Sequence, residues 1–174
     1  MLKHLAAILI LALAAACSSS RNLDQSFTDI GADGELKAVL FADRQHDYSD
    51  IDITVFEGRL LLTGSMRSEE GRRKLVENAW KARGVDQVID EIVIGDKTSI
   101  GQGFADARID AALRSKLIVN DDVKSGDYKI AVSDGAVFLL GAVRSERSLT
   151  QTLEIARAIS GARRVVSHVI VRPL

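Results

Sequence analysis

Ile53-Thr-Val-Phe-Glu-Gly-Arg-Leu-Leu-Leu-Thr-Gly-Ser-Met-Arg-Ser-Glu69 and Ile130-Ala-Val-Ser-Asp-Gly-Ala-Val-Phe-Leu-Leu-Gly-Ala-Val-Arg-Ser-Glu146 are two copies of one pattern. They align without a gap at an offset of 77, with identity at Ile53/Ile130, Val55/Val132, Gly58/Gly135, Leu62/Leu139, Gly64/Gly141, Arg67/Arg144, Ser68/Ser145 and Glu69/Glu146. In each copy an alternating apolar stretch, which suits a half-buried strand, runs into an acid-glycine pair. Glycine accepts positive φ, so Glu57-Gly58 and Asp134-Gly135 predict tight hairpin turns leading into a second strand.

Downstream the two copies continue alike. Ser68 and Ser145 are placed to cap helices whose first residues, Glu69 and Glu146, suit the positive end of the helix dipole. Leu75, Val76, Ala79 and Ala82 form the apolar stripe of the first helix, and Leu149, Leu153, Ala156 and Ile159 that of the second. Gly84 and Gly161 are expected to end these helices in a left-handed cap. A last strand follows, Val88 to Ile94 and Val165 to Val171.

Each unit also opens with a helix. The first starts at Glu35 with Leu36, Val39 and Leu40 on one face; the second spans Asp106 to Val119 with Ile109, Ala112, Leu113 and Leu117. The order is therefore α-β-β-α-β, twice. The fold class is α+β, each unit carrying a three-stranded mixed sheet with two helices packed on one face. The other sheet face, represented by Lys129, Ala131 and Ser133, is either solvated or covered by the second unit. The expected boundaries are a first domain at 35–95, a linker at 96–104 containing Gly101 and Gly103, and a second domain at 105–174. Units this small have marginal cores, which favours mutual packing.

Of the 174 residues, 47% are hydrophobic and 27% charged, a balance that belongs to a folded protein and excludes extensive disorder. Residues 18–104 carry 11 basic against 16 acidic side chains, and residues 105–174 carry 11 against 8. The second unit is thus the one suited to meet an anion. The one cysteine, Cys17, excludes an internal disulfide and a cysteine-based metal cluster.

Residues 1–16 have a short polar start and a run of apolar residues from Leu5 to Ala16, too short to span a bilayer but suited to a signal-peptide core. The run ends Leu13-Ala-Ala-Ala-Cys17-Ser18, which resembles the bacterial lipobox, except that Ala14 stands where leucine is usual. That resemblance implies an acylated Cys17 as lipid anchor, a tether over 17–34, and, with Ser18 next, an outer-membrane address. The alternative is cleavage near Ala16 and a soluble periplasmic protein.

The full pattern is a helix, a strand, an acid-glycine turn, a strand ending in Leu-x-Gly, an Arg-Ser-Glu helix start, and Gly-(Val or Ala)-x-x-Val before the last strand. It resembles the BON domain, and the layout over Glu35 to Val171 resembles a dual-BON-domain lipoprotein of the Gram-negative outer membrane. The resemblance implies a non-catalytic envelope protein on the periplasmic face that supports outer-membrane integrity. It also implies that the first helix of the second domain binds anionic phospholipid. On this chain that helix offers Arg108, Arg114 and Lys116 to head groups, and Leu117 and Ile118 to the interface. A tryptophan is expected near its start, and Arg108 takes that place. The alternative is a periplasmic scaffold that binds protein partners, such as outer-membrane assembly proteins or components of an osmotic-stress response, through exposed sheet faces.

Catalytic constellations are thin. His4 leaves with the signal peptide, His46 sits in a polar loop and His168 in the last strand, so no nucleophile-base-acid set assembles. Asp43, His46, Asp47 and Asp50 match no metal-ligand spacing. Gly95-Asp-Lys-Thr98 lacks the upstream glycine of a phosphate loop, and Gly101-x-Gly103 is too short for a dinucleotide site. No enzyme activity, cofactor or metal is expected. Nucleic acid is not expected either, given slight net acidity and few aromatics.

Overall fold

The computed structural model describes residues 37–38 and 45–172. Cys17, the segments 1–16 and 17–34, and most of the first predicted helix, including Leu36, Val39 and Leu40, lie outside the described residues. Lys37 and Ala38 of that helix are helical.

The first unit contains β1 (Ile51–Phe56), β2 (Arg59–Met66), α1 (Glu69–Ala79) and β3 (Gln87–Ile94). The second contains α2 (Ile100–Ile118), β4 (Tyr128–Ser133), β5 (Ala136–Val143), α3 (Glu146–Arg157) and β6 (Arg164–Val171). Each sheet has its second strand in the centre, antiparallel to the first and parallel to the third. Ile53 lies opposite Leu62 and Ile130 opposite Leu139, so the repeat extends to strand register.

Local chemistry explains the turns and caps. Glu57 and Gly58 have φ of 51° and 74°, and Asp134 and Gly135 of 46° and 71°, the left-handed pair that a two-residue hairpin requires. Ser68 accepts from the Gly71 N–H at 3.0 Å, and Ser145 from the Ser148 N–H at 3.2 Å. Gly84 and Gly161 do adopt positive φ, but in the turn beyond the helix. The helices themselves end at the right-handed Trp80 and Ala158. Gly64 and Gly141 answer to space: a Cβ at either would lie about 2 Å from the carbonyl oxygen of Asp50 or Asp127.

Each central strand is covered on both faces, which is why Leu60-Leu61-Leu62 and Val137-Phe138-Leu139-Leu140 are continuously apolar. Leu60 and Leu62 face α1 with Leu75 and Ala79; Val137 and Leu139 face α2 and α3 with Ile109, Leu113 and Ala156. Leu61, Phe138 and Leu140 point the other way, into a third core shared with Phe56, Ala131 and Ala142. That core lies between the two sheets, so the layers run helix, sheet, sheet, helix. Each large side chain fully buried there contributes about 2 kcal/mol, which offsets the thinness of either unit alone.

This packing removes the surface assumed for a partner-binding scaffold. Of the two alternatives for the other sheet faces the structure takes the second: they are turned toward each other, with Ala131 buried and Lys129 and Ser133 half-buried. Polar contacts close the rim. Arg172 pairs with the buried carboxylate of Glu57, Arg59 donates to the Gly141 carbonyl at 3.2 Å, and His168 Nε2 lies 2.9 Å from Glu91 Oε1. Burial and the nearby Arg172 charge lower the pKa of Arg59, against the opposing pull of Glu57.

The predicted linker is also different. Arg67 pairs with Asp96 at 2.9 Å, Lys97 with Asp47 at 2.6 Å, and Asp50 accepts from the N–H and hydroxyl of Thr98 at 3.1 and 3.0 Å. Lys97, with help from Ser49, holds the Asp47 carboxyl down at about 2. Partial burial would raise the pKa of Asp50, but hydrogen bonds from Ser65 and Thr98 outweigh it and the net shift is downward. Residues 96–98 are thus clasped to the first unit, and α2 begins at Ile100, inside the segment expected to be a linker.

Candidate functional site

The second unit's first helix is longer than its sequence pattern suggests. Ser99 caps it by accepting from the Gln102 N–H at 3.2 Å, and nineteen residues follow, about 28 Å of helix. Its inner face is fixed in two ways. Ile109, Leu113 and Leu117 enter the helix-side core, and the buried carboxylate of Asp106 accepts from the N–H groups of Asp134 and Gly135, both at 2.8 Å. One helical aspartate thereby holds the hairpin turn of its own sheet, which sets the rotation of α2 about its axis.

The proposed lipid contacts separate once that rotation is known. Leu117 is only 1% exposed and belongs to the core, so it is unavailable to a membrane in this fold. A buried position that completes the 109-113-117 stripe accounts for it. Arg114 is exposed but occupied: it binds both oxygens of Asp110, at 2.7 and 2.9 Å, and the Ile130 carbonyl at 3.0 Å. Arg108, Lys116 and Ile118 face solvent, and neither cation has an ion-pair partner among the described residues. The five therefore do not form one surface.

Two residues that the sequence reading left out complete the outward face. Ile100 is 82% exposed and Phe104 67%, and at the far end Ile118 is 69% and Val119 77%. Between them lie exposed Ala107, Arg108, Ala111 and Ser115. Ile100, Phe104, Ala107, Ala111, Ser115 and Ile118 follow at intervals of three and four, one side of an α-helix. The helix has no tryptophan near its start, but a different aromatic residue, Phe104, stands exposed one turn before Arg108. Gly101 and Gly103 had disguised it as linker; the signal that would have found it is Ser99 as cap followed by that spacing.

The face is apolar and its charges are positive. Asp106 is turned inward and Asp110 is bound to Arg114, which leaves Arg108 beside the face, and Lys116 further round the helix, as the cations of α2 without an ion-pair partner among the described residues. No helix among the described residues is long and apolar enough to cross a membrane. Nor, among the described residues, do three or more His, Cys, Asp or Glu side chains gather as a metal site would require. His46 packs edge-on to Tyr48, with ring centroids 6.1 Å apart, and His168 meets Glu91. The arrangement offers adhesion, with no reactive group at its centre.

Two small α+β units stacked sheet to sheet, the second presenting a helix with exposed apolar residues, define a class of tandem α+β module. The chain belongs to the BON-domain family, whose model matches residues 31–96 and 105–173. It is similar to an uncharacterized protein from the gshII 5'region of Anaplasma centrale, with 31% identity over 70% of this chain and 82% of that one. It is also similar to the outer membrane lipoprotein DolP of Haemophilus influenzae, 29% identical over 67% of this chain and 60% of DolP. A third relative is the osmotically-inducible protein Y of Escherichia coli, 29% identical over 84% of this chain and 75% of that protein.

Proposed function

We propose that this is a non-catalytic envelope protein of the outer membrane, held on the periplasmic face by an acylated Cys17, whose α2 docks on anionic phospholipid and supports membrane integrity. The observation that carries the docking is the outward side of α2, where Ile100, Phe104 and Ile118 stand exposed, with the cation Arg108 beside them and Lys116 further round the helix. A helix lying in the interface buries its apolar side among acyl chains and sets its cations at the head groups. Ile100, Phe104 and Ile118 supply the first element. Arg108 and Lys116 supply the second, each attracted by about 1 kcal/mol to an anionic leaflet. The likeness to a named outer membrane lipoprotein supports the location.

The test is flotation of the unacylated chain beginning at Ser18 with vesicles of phosphatidylethanolamine, with and without phosphatidylglycerol. Binding should require phosphatidylglycerol and weaken as salt rises. Equal binding to both vesicle types removes the anionic preference, and binding to neither removes the docking.

A further inference from the structure

Three glycines lie within the α-helices of the described residues, and they are of two kinds. A Cβ at Gly71 in α1 would stand 2.7 Å from Met66 Cε and 3.0 Å from the His46 ring, so a larger residue there would have to displace both side chains. At Gly101 and Gly103 in α2 a Cβ would meet nothing within 4 Å, and neither has a positive φ. Nothing among the described residues accounts for them, and each weakens a helix relative to alanine.

They sit in the turn where the outward apolar groups are most exposed. Ile100 and Phe104 flank them and contribute almost nothing to stability in water. What holds the turn is slight: the Ser99 cap, the Gly103 N–H to Ser99 carbonyl bond at 2.9 Å, and the contacts of Gln102 with Asp106 and Arg163. Both ends of the segment are firm. Thr98 is bound by Asp50 on one side, and Asp106 is bound to the hairpin turn on the other.

We propose that the first turn of α2, Ile100 to Gly103, is a conditional element, marginal in water and completed when a membrane covers Ile100 and Phe104. This rests on the docking described above and adds its regulation. A surface whose competent form is only partly populated binds more weakly by that fraction. The two glycines thereby tune the protein toward reversible attachment and keep Phe104 from presenting a fixed apolar knob to other proteins.

Hydrogen exchange on the chain beginning at Ser18 tests this. The amides of Gly103, Phe104 and Ala105, which donate within the first turn, should exchange quickly in water and slow at least tenfold when phosphatidylglycerol-containing vesicles are added. The double variant Gly101→Ala/Gly103→Ala should protect those amides without vesicles, and should bind the vesicles on the order of tenfold more tightly. If the natural chain binds vesicles but protects residues 103–105 in water as well as residues 109–113, the conditional turn is wrong and the docking stands. If the double variant binds no better than the natural chain, the turn is likewise refuted alone. If no vesicle of either kind is bound, both ideas fall together.

Discussion

Helices α2 and α3 lie on the same face of the same sheet and share one core, yet their outer sides are opposites. Glu146, Arg147, Glu154 and Arg157 give α3 the mixed charge usual for a solvated helix, and α1 follows it with Glu70, Arg73, Lys74 and Glu77. On α2 the corresponding positions are Ile100, Phe104, Ala107, Ala111 and Ile118, with Arg108 beside them. Packing on the sheet constrains only the inner stripe. Where the outer side departs from its neighbours, the departure has another cause.

The largest effect should come from breaking what fixes α2. Asp106→Ala leaves one buried and one part-buried N–H group of the hairpin turn without their carboxylate, and should cost about 3 kcal/mol in urea unfolding. Asp106→Asn keeps an acceptor and should cost less than half as much. A loss under about 1 kcal/mol for the alanine variant would mean that core packing alone sets the helix rotation. Next comes a matched pair of charge reversals. Arg108→Glu with Lys116→Glu on α2 should weaken binding to phosphatidylglycerol vesicles by about 2 kcal/mol, roughly thirtyfold, while Arg147→Glu with Arg157→Glu on α3 should leave it nearly unchanged. Similar losses from both pairs would show that net charge, and no particular face, governs attachment. The smallest effect sharpens the contrast at the helix starts. Ser145→Ala should lower global stability by about 1 kcal/mol, whereas Ser99→Ala should lower it by much less, because its cap serves only the weak first turn.

Much of the fold is legible in local chemistry. The acid-glycine turns, the serine caps and the strand pattern are settled within a few residues, and both copies carry them. What the pattern misses involves distance or a misleading glycine. Arg172 meets Glu57 from 115 residues away, and no neighbour of either announces it. Gly101 and Gly103 suggest a linker because glycine usually interrupts helices, so Phe104 stayed hidden. Arg114 has the right charge and sits on the right helix. Its position is decided by Asp110 and a carbonyl of β4, which only the folded chain brings within reach.

The contact between Glu91 and His168 joins two positions that are 77 residues apart, the interval of the repeat itself. In a symmetric pair of separate, identical chains, such a site would face its own likeness: acid against acid, or imidazole against imidazole. Tethering both halves in one polypeptide lifts that restriction. The seam is free to become lopsided, and a proton donor and its acceptor can occupy the two sides of what began as one address.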